Sequence, residues 1–298
     1  QHGLFGEPIS KSVEAIAEIS NNTIWLATYG DLLVLSNENE ISDSQINLTS
    51  SISYMLSDKK DNLWIRTINN QLFLYSPKTR MLEEHINWQE KSKHDEINTL
   101  KMLDSTIWYI DSDGYLSRYN TETESFKRYR PKSGKGLTSL QIEKNNTIWT
   151  TSQNDKLLMF DISKEDFVTN PVQSPINFSI GQTSNIAISN SWVWLGSDDQ
   201  GIALISRVTN QIRVFNENNK LTNNFITNIL IDDSENAWLS TNRGLVVINP
   251  NSKQVKHFNQ DFAINDNEYL SYSALRAQNG LFYFGGLYGF HQFDPDEI

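Results

Sequence analysis

Six of the eight tryptophans stand in one local frame that recurs along the chain. It reads Asn21-Asn-Thr-Ile-Trp25-Leu-Ala-Thr, Asp61-Asn-Leu-Trp64-Ile-Arg-Thr, Ser105-Thr-Ile-Trp108, Asn145-Asn-Thr-Ile-Trp149-Thr-Thr, Ser191-Trp-Val-Trp194-Leu-Gly and Glu235-Asn-Ala-Trp238-Leu-Ser-Thr. A seventh copy, Asn279-Gly-Leu-Phe282-Tyr-Phe-Gly, aligns with Phe in place of Trp. Successive copies are 39 to 45 residues apart, so 298 residues hold seven units of about 43. A period of this size is the signature of a repeat architecture, which decides the fold before any single element is read.

Each unit reads as four short strands. In the sixth, Ile226–Ile231 is apolar and β-branched, Asp232–Asn236 is a turn cluster, and Ala237–Thr241 is a second strand. The turn at Asn242-Arg-Gly244, a third strand over 245–248, the break Asn249-Pro-Asn-Ser252 and a fourth strand over 254–258 complete it. Such a sequence is an antiparallel meander. One four-stranded sheet cannot bury both faces alone, whereas radial stacking buries them and shields the edges. The expectation is an all-β, seven-bladed β-propeller of four-stranded antiparallel blades, forming one domain over 1–298. Its units run approximately over 13–48, 52–93, 97–134, 137–178, 180–222, 226–265 and 269–298. The last unit runs out before a fourth strand, and residues 1–8 are the candidates to supply it, with Leu4 and Phe5 as the apolar pair and Gly3 and Gly6 weakening a strand there. Trp25, Trp64, Trp108, Trp149, Trp194, Trp238 and Phe282 are assigned to packing between blades.

The frame resembles the two-component regulator propeller repeat, which runs Asp-x-x-Gly-x-[Leu/Ile]-Trp-[Ile/Leu]-Gly-Thr, then Gly-Leu and an aromatic-Asp-Pro ending. The closest units are Asp58-Lys-Lys-Asp-Asn-Leu-Trp64-Ile-Arg-Thr67 and Asp232-Asp-Ser-Glu-Asn-Ala-Trp238-Leu-Ser-Thr-Asn-Arg-Gly244-Leu245, and the ending is matched by Phe293-Asp-Pro295. The Gly ahead of the apolar-Trp pair is replaced here, and the Gly after the Trp dipeptide is kept only at Gly196 and Gly285. The resemblance implies an extracytoplasmic (periplasmic or extracellular) sensor region of a membrane signalling protein. It also implies a ligand that is a carbohydrate or other small polar solute, with a kinase or cyclase carried elsewhere on the parent chain. A homodimer formed through parent-protein domains is compatible with it. A start at Gln1 without Met is what a processed or excised piece would show.

Composition sets limits on partners. With 25 basic against 36 acidic residues, the net charge of −11 repels polyanions, so nucleic acid is not an expected partner. No run of 18 apolar residues occurs, and no direct membrane insertion is expected of this chain. The five histidines show no ligand spacing and there is no cysteine, so neither a metal site nor a cofactor is expected. Asp111-Ser-Asp-Gly114 reads as a hairpin turn, because Asp-Gly supplies a positive φ. Ser133-Gly-Lys-Gly136 lacks phosphate-loop spacing, and no Gly-x-Ser-x-Gly elbow is present. No catalytic residue is assigned. The Pro-x-Gly-Ile and Trp-Phe-Thr-Glu frames of the propeller lyases that act on cyclic peptide antibiotics do not occur.

In such a blade the loop between strands two and three shares a face with the blade-to-blade connections, and that face is the expected binding surface. Its candidates are Tyr29, Asp31, Asn70, Asp113, Asn154, Asp199, Arg243 and Tyr288, whose carboxylates, amides, arginine and tyrosines suit a polyhydroxylated solute. Two residues outside the frame join them. Trp88 lies in the long segment before unit three and is read as an exposed stacking platform, and Arg66 fills a position the repeat gives to Gly and is read as reaching the mouth. Two alternatives stand beside the sensor reading: a protein-interaction or dimerisation propeller, and a glycan-cleaving or lyase enzyme.

Overall fold

In the computed structural model the repeat forms seven antiparallel sheets arranged in a ring. The structure describes residues 11–20, 22–29, 31–36, 40–46, 48, 50–86, 88, 99–131, 136–144, 146–153, 156–172, 178–179, 183–258 and 268–298. Blades 1 to 6 are four-stranded meanders, each in strict sequence order. Their first strands, Val13–Ile19, Ile52–Ser57, Leu100–Leu103, Leu137–Glu143, Thr183–Ile188 and Ile226–Ile231, stand on the inside of the ring. Blade 7 shows three strands, Tyr269–Arg276, Phe282–Gly286 and Gly289–Phe293. The expectation that residues 1–8 add its fourth strand lies outside the described residues.

The turn chemistry read from the sequence is visible in the hydrogen bonds. Asp58 Oδ1 caps the first turn of blade 2 by accepting from the Lys60 and Asn62 amides at 2.8 and 2.9 Å, while its Oδ2 accepts from Trp64 Nε1 at 3.2 Å. Asp232 repeats this in blade 6, accepting from the Ser234 and Asn236 amides at 3.0 and 2.8 Å and from Trp238 Nε1 at 3.0 Å. One carboxylate therefore closes the turn and satisfies the buried indole, which explains why Asp and Trp keep a fixed spacing. Glu143 serves Trp149 Nε1 in the same way at 2.8 Å, whereas Ile19 and Ser189 stand at that register in blades 1 and 5. The Trp25 and Trp194 indoles there find no acceptor among the described residues. Replacing Asp232 by Ala is expected to cost about 2–3 kcal/mol, the loss of charge-assisted bonds plus an orphaned buried indole, read as a lower urea midpoint. Asp199→Ala, on an exposed loop, is expected to leave that midpoint nearly unchanged.

The blades close on one another through their inner strands. Asn185 Nδ2 donates to Thr227 O at 2.9 Å, Asn228 Nδ2 to Leu270 O at 2.8 Å, and Ser273 Oγ to Val13 O at 2.7 Å, which ties blade 7 to blade 1. The two retained glycines allow this approach. A Cβ on Gly285 would lie 2.1 Å from Ser273 Oγ, and one on Gly196 would lie 3.0 Å from Ile226 Cγ2.

The seventh copy of the frame is shifted by one residue from its sequence alignment. Tyr283, not Phe282, pairs with the inner strand where the tryptophans do: Tyr283 opposes Leu275 as Trp238 opposes Leu230. Phe282 is still buried, one position earlier, against Trp238 of blade 6. The turn before it sets the register, since the Ala277 amide bonds to Leu281 O as the Asp232 amide bonds to Asn236 O.

Candidate functional site

The two-to-three loops gather on one face, as expected, and only part of the expected constellation is available there. Tyr29 and Tyr288 are 73% and 66% exposed, on the loops of adjacent blades 1 and 7. Ile68 on the next loop is 58% exposed and Leu287 accompanies Tyr288, so blades 7, 1 and 2 present a run of apolar and aromatic side chains to solvent. Polar groups flank it: Asp31 carries an ion pair with Lys11, and exposed Arg243 donates to Thr222 O at 3.4 Å. Asp113 is exposed and accepts from Arg128 Nη2 at 2.7 Å, and Asp199 is exposed and accepts from Ser197 Oγ at 2.9 Å. The Asp111–Gly114 segment is the hairpin turn expected, with Gly114 at φ 75° and its amide bonded to Asp111 O.

Three expected contact residues are buried instead. Trp88 has 0% exposure and packs its ring against Tyr109, Tyr119 and Phe126 of blade 3, so it is core and not a platform. Arg66 is buried too: its Nε donates to Asn70 Oδ1 at 3.1 Å and its Nη1 to Ser53 Oγ at 3.2 Å. Desolvation holds the Arg66 guanidinium below its usual pKa, and the guanidinium does not reach the mouth. Asn70, buried at φ 61°, accepts from both Arg66 and Trp88 Nε1, the latter at 3.2 Å. At the Arg66 register the other blades carry Ala27, Ile110, Thr151, Gly196, Ser240 and Gly285, so the large side chain fills space between blades 2 and 3 that smaller residues leave to a closer neighbour. Asn154 lies outside the described residues.

A second concavity was not foreseen. The inner strands enclose a cavity of about 820 Å³ that reaches the one-to-two turns at Lys144, Asn190, Asp233 and Gln278. Toward the loop face it is narrowed by Tyr54 of blade 2 and Tyr272 of blade 7, whose rings lie 4.9 Å apart and whose hydroxyls are hydrogen-bonded. Their blades flank blade 1, whose inner strand contributes Ile16, Ala17 and Glu18 to the wall. Tyr272 has φ 66° within a bulge between Tyr269 and Ala274. A left-handed aromatic residue costs about 1–2 kcal/mol, and that bulge is what aims its ring across the axis.

Each acidic side chain named on the cavity wall holds at least one donor, although Glu18 Oε1 has no partner among the described residues. Glu18 Oε2 accepts the Gln278 amide at 2.8 Å, and burial pushes its carboxyl pKa up. Glu143 takes Trp149 and Arg207, Asp233 takes Arg276 at 2.6 Å, and Glu235 takes the Ser191 amide at 3.0 Å. Lys101 differs, because among the described residues its ammonium has neither a hydrogen-bond acceptor nor an ion-pair partner. Among the described residues no group of three or more His, Cys, Asp or Glu is placed to hold a metal ion.

Comparisons with known proteins agree with the resemblance read from the repeat. No protein-family model matches the chain. It is 27% identical over 311 residues to "Histidine kinase P4" of Formosa agariphila, an alignment covering 96% of this chain and 22% of that protein. Among solved structures it superposes with TM-score 0.75 and 19% identity on a protein described as the extracellular domain of a hybrid two-component system of B. thetaiotaomicron, covering 97% of this chain and 40% of the other. It also superposes with TM-score 0.76 and 12% identity on virginiamycin B lyase from Staphylococcus aureus, covering 98% and 99% of the two chains. The class defined is a seven-bladed β-propeller resembling the two-component regulator propellers. The chain spans about a fifth of the kinase and two fifths of the sensor domain it matches.

Proposed function

We propose that this chain is the extracytoplasmic ligand-recognition propeller of a membrane signalling protein, non-catalytic in itself, and that it takes a neutral polyhydroxylated solute such as an oligosaccharide on its two-to-three loop face. The observation that carries the reading is the exposure of Tyr29 and Tyr288 on neighbouring blades, with Asp31 on the same loop as Tyr29. Flat aromatic faces stack on the apolar side of a sugar ring, and flanking carboxylates, amides and arginine accept and donate to its hydroxyls. The likeness to a histidine kinase and to an extracellular two-component domain supports the sensor assignment. A bound solute signals only by favouring one arrangement of the receptor over another.

In a thermal-shift panel of neutral oligosaccharides, a binder is expected to raise Tm with concentration, and Tyr29→Ala with Tyr288→Ala is expected to weaken it about tenfold or more. No shift with any saccharide overturns the reading. The same exposed apolar run, with Ile68 and Leu287, favours a docking surface for a protein partner as the second reading. In that case the double variant leaves saccharide responses unaltered and abolishes association with the partner.

A further inference from the structure

We infer that the central cavity is a second binding site, distinct from the loop face, and that it takes a small oxyanion, a carboxylate or sulfate borne on a polar solute, whose charge pairs with Lys101. The residues opposite the frame aromatics form a ring around the axis: Ala17, Leu56, Lys101, Gln141, Ala187, Leu230 and Leu275. Six of these are uncharged. Lys101 is the exception, and it sits between Leu100 and Met102 on a strand whose other members are apolar.

Lys101 is half-buried, and a partly desolvated ammonium without a counter-charge is costly, so burial lowers its pKa. Nothing among the described residues offsets the cost. None of the carboxylates on the same wall pairs with it: Glu143 holds Arg207 and Trp149, Asp233 holds Arg276, and Glu18 takes the Gln278 amide on Oε2 while its Oε1 has no partner among the described residues. A structural lysine would be expected to find one of them or to extend into bulk water. Lys101 instead faces a space of about 820 Å³, large enough for a monosaccharide-sized solute.

The walls supply the remaining recognition. Gln141, next to Lys101 around the ring, offers an amide, and the Tyr54–Tyr272 bridge closes the cavity toward the loop face with two hydroxyls. The left-handed backbone at Tyr272 holds that bridge in place. Backbone strain of this kind persists where surrounding structure enforces it, and it concentrates at ligand clamps. A solute entering from the one-to-two turns passes exposed Lys144 at the rim before reaching Lys101.

The test is a thermal-shift and calorimetric titration of the chain with sodium sulfate, D-glucuronate and D-glucose, at ionic strength held constant with chloride. Wild type is expected to gain Tm with sulfate and glucuronate and not with glucose. Lys101→Met, which keeps side-chain length and removes the charge, is expected to lose at least about tenfold in affinity for both anions, while Lys101→Arg retains them. The Tyr29→Ala, Tyr288→Ala double variant is expected to keep the anion response, which separates this site from the loop face. An equal gain in Lys101→Met, a gain with glucose, or no gain with either anion overturns the inference. If Lys101→Met does not fold, the Nζ resonance of Lys101 in lysine-labelled wild type reads the same point: it moves with glucuronate and not with glucose, and an unmoved resonance is contradictory.

Discussion

Replacing Trp88 by alanine is expected to destabilise the fold by about 3–5 kcal/mol, the range for deleting a fully buried large aromatic side chain. The cost has three sources. The ring is wholly enclosed, with centroids 5.1, 5.5 and 6.0 Å from Tyr109, Tyr119 and Phe126, so its loss leaves a cavity between blades 2 and 3. Its Nε1 donates to Asn70 Oδ1, which also holds Arg66, so the substitution strips one partner from a buried polar network. The segment that delivers Trp88 is anchored by its amide bonding to His85 O at 3.0 Å, and the ring pins that connection to blade 3. Urea unfolding checks this through a large fall in midpoint. A fall below about 1 kcal/mol, coupled with lost solute binding, would restore the exposed-platform reading.

Acidification from pH 6.5 to 4 is expected to remove about 3 kcal/mol of stability through His291 alone. His291, on the last strand of blade 7, is buried with its Nδ1 2.9 Å from the Tyr269 hydroxyl, and desolvation lowers its pKa from 6.5 to about 4. Above pH 6.5 the ring is neutral in both folded and unfolded chains and contributes no pH dependence. Between 6.5 and about 4 the unfolded chain binds a proton that the folded chain refuses, so stability falls as pH falls. Below about 4 both states are protonated and the effect levels off. Glu18 acts in the opposite sense, because its raised carboxyl pKa favours the folded state on acidification. The comparison that isolates the histidine is therefore wild type against His291→Gln, whose unfolding free energy should be flatter across this range. Parallel profiles would contradict the assignment.

The fold was legible because its determinants are local and repeated. Asp58 and Asp232 close a turn and cap an indole within seven residues, and such a unit leaves its mark on a short stretch of sequence. The shift from Phe282 to Tyr283 shows where this fails, since the register follows a hydrogen-bonded turn at Ala277 and Leu281 that carries none of the usual turn residues at its ends. Departure from the frame singled out Trp88 and Arg66 but was a poor guide to their exposure. Both answer to each other through Asn70, a contact that brings together residues up to 22 positions apart and that no local pattern encodes. Topology alone puts the two-to-three loops on one face, and Tyr29 and Tyr288 are exposed there. The cavity was missed because its wall is assembled from one strand of each of seven units. A single mark of it was present in the sequence, the lysine inside Leu100-Lys101-Met102-Leu103, where a first strand has no local reason for a charge. Tyr272 left less trace, since its reach across the axis depends on a bulge.

The claim that the loop face reads a neutral polyhydroxylated solute is tested most directly by saturation-transfer NMR of the chain with a panel of neutral oligosaccharides. Saturation is expected on the ring protons of at least one saccharide, lost with Tyr29→Ala and Tyr288→Ala and retained with Lys101→Met. Transfer to no saccharide, or transfer that survives loss of both tyrosines, would contradict it.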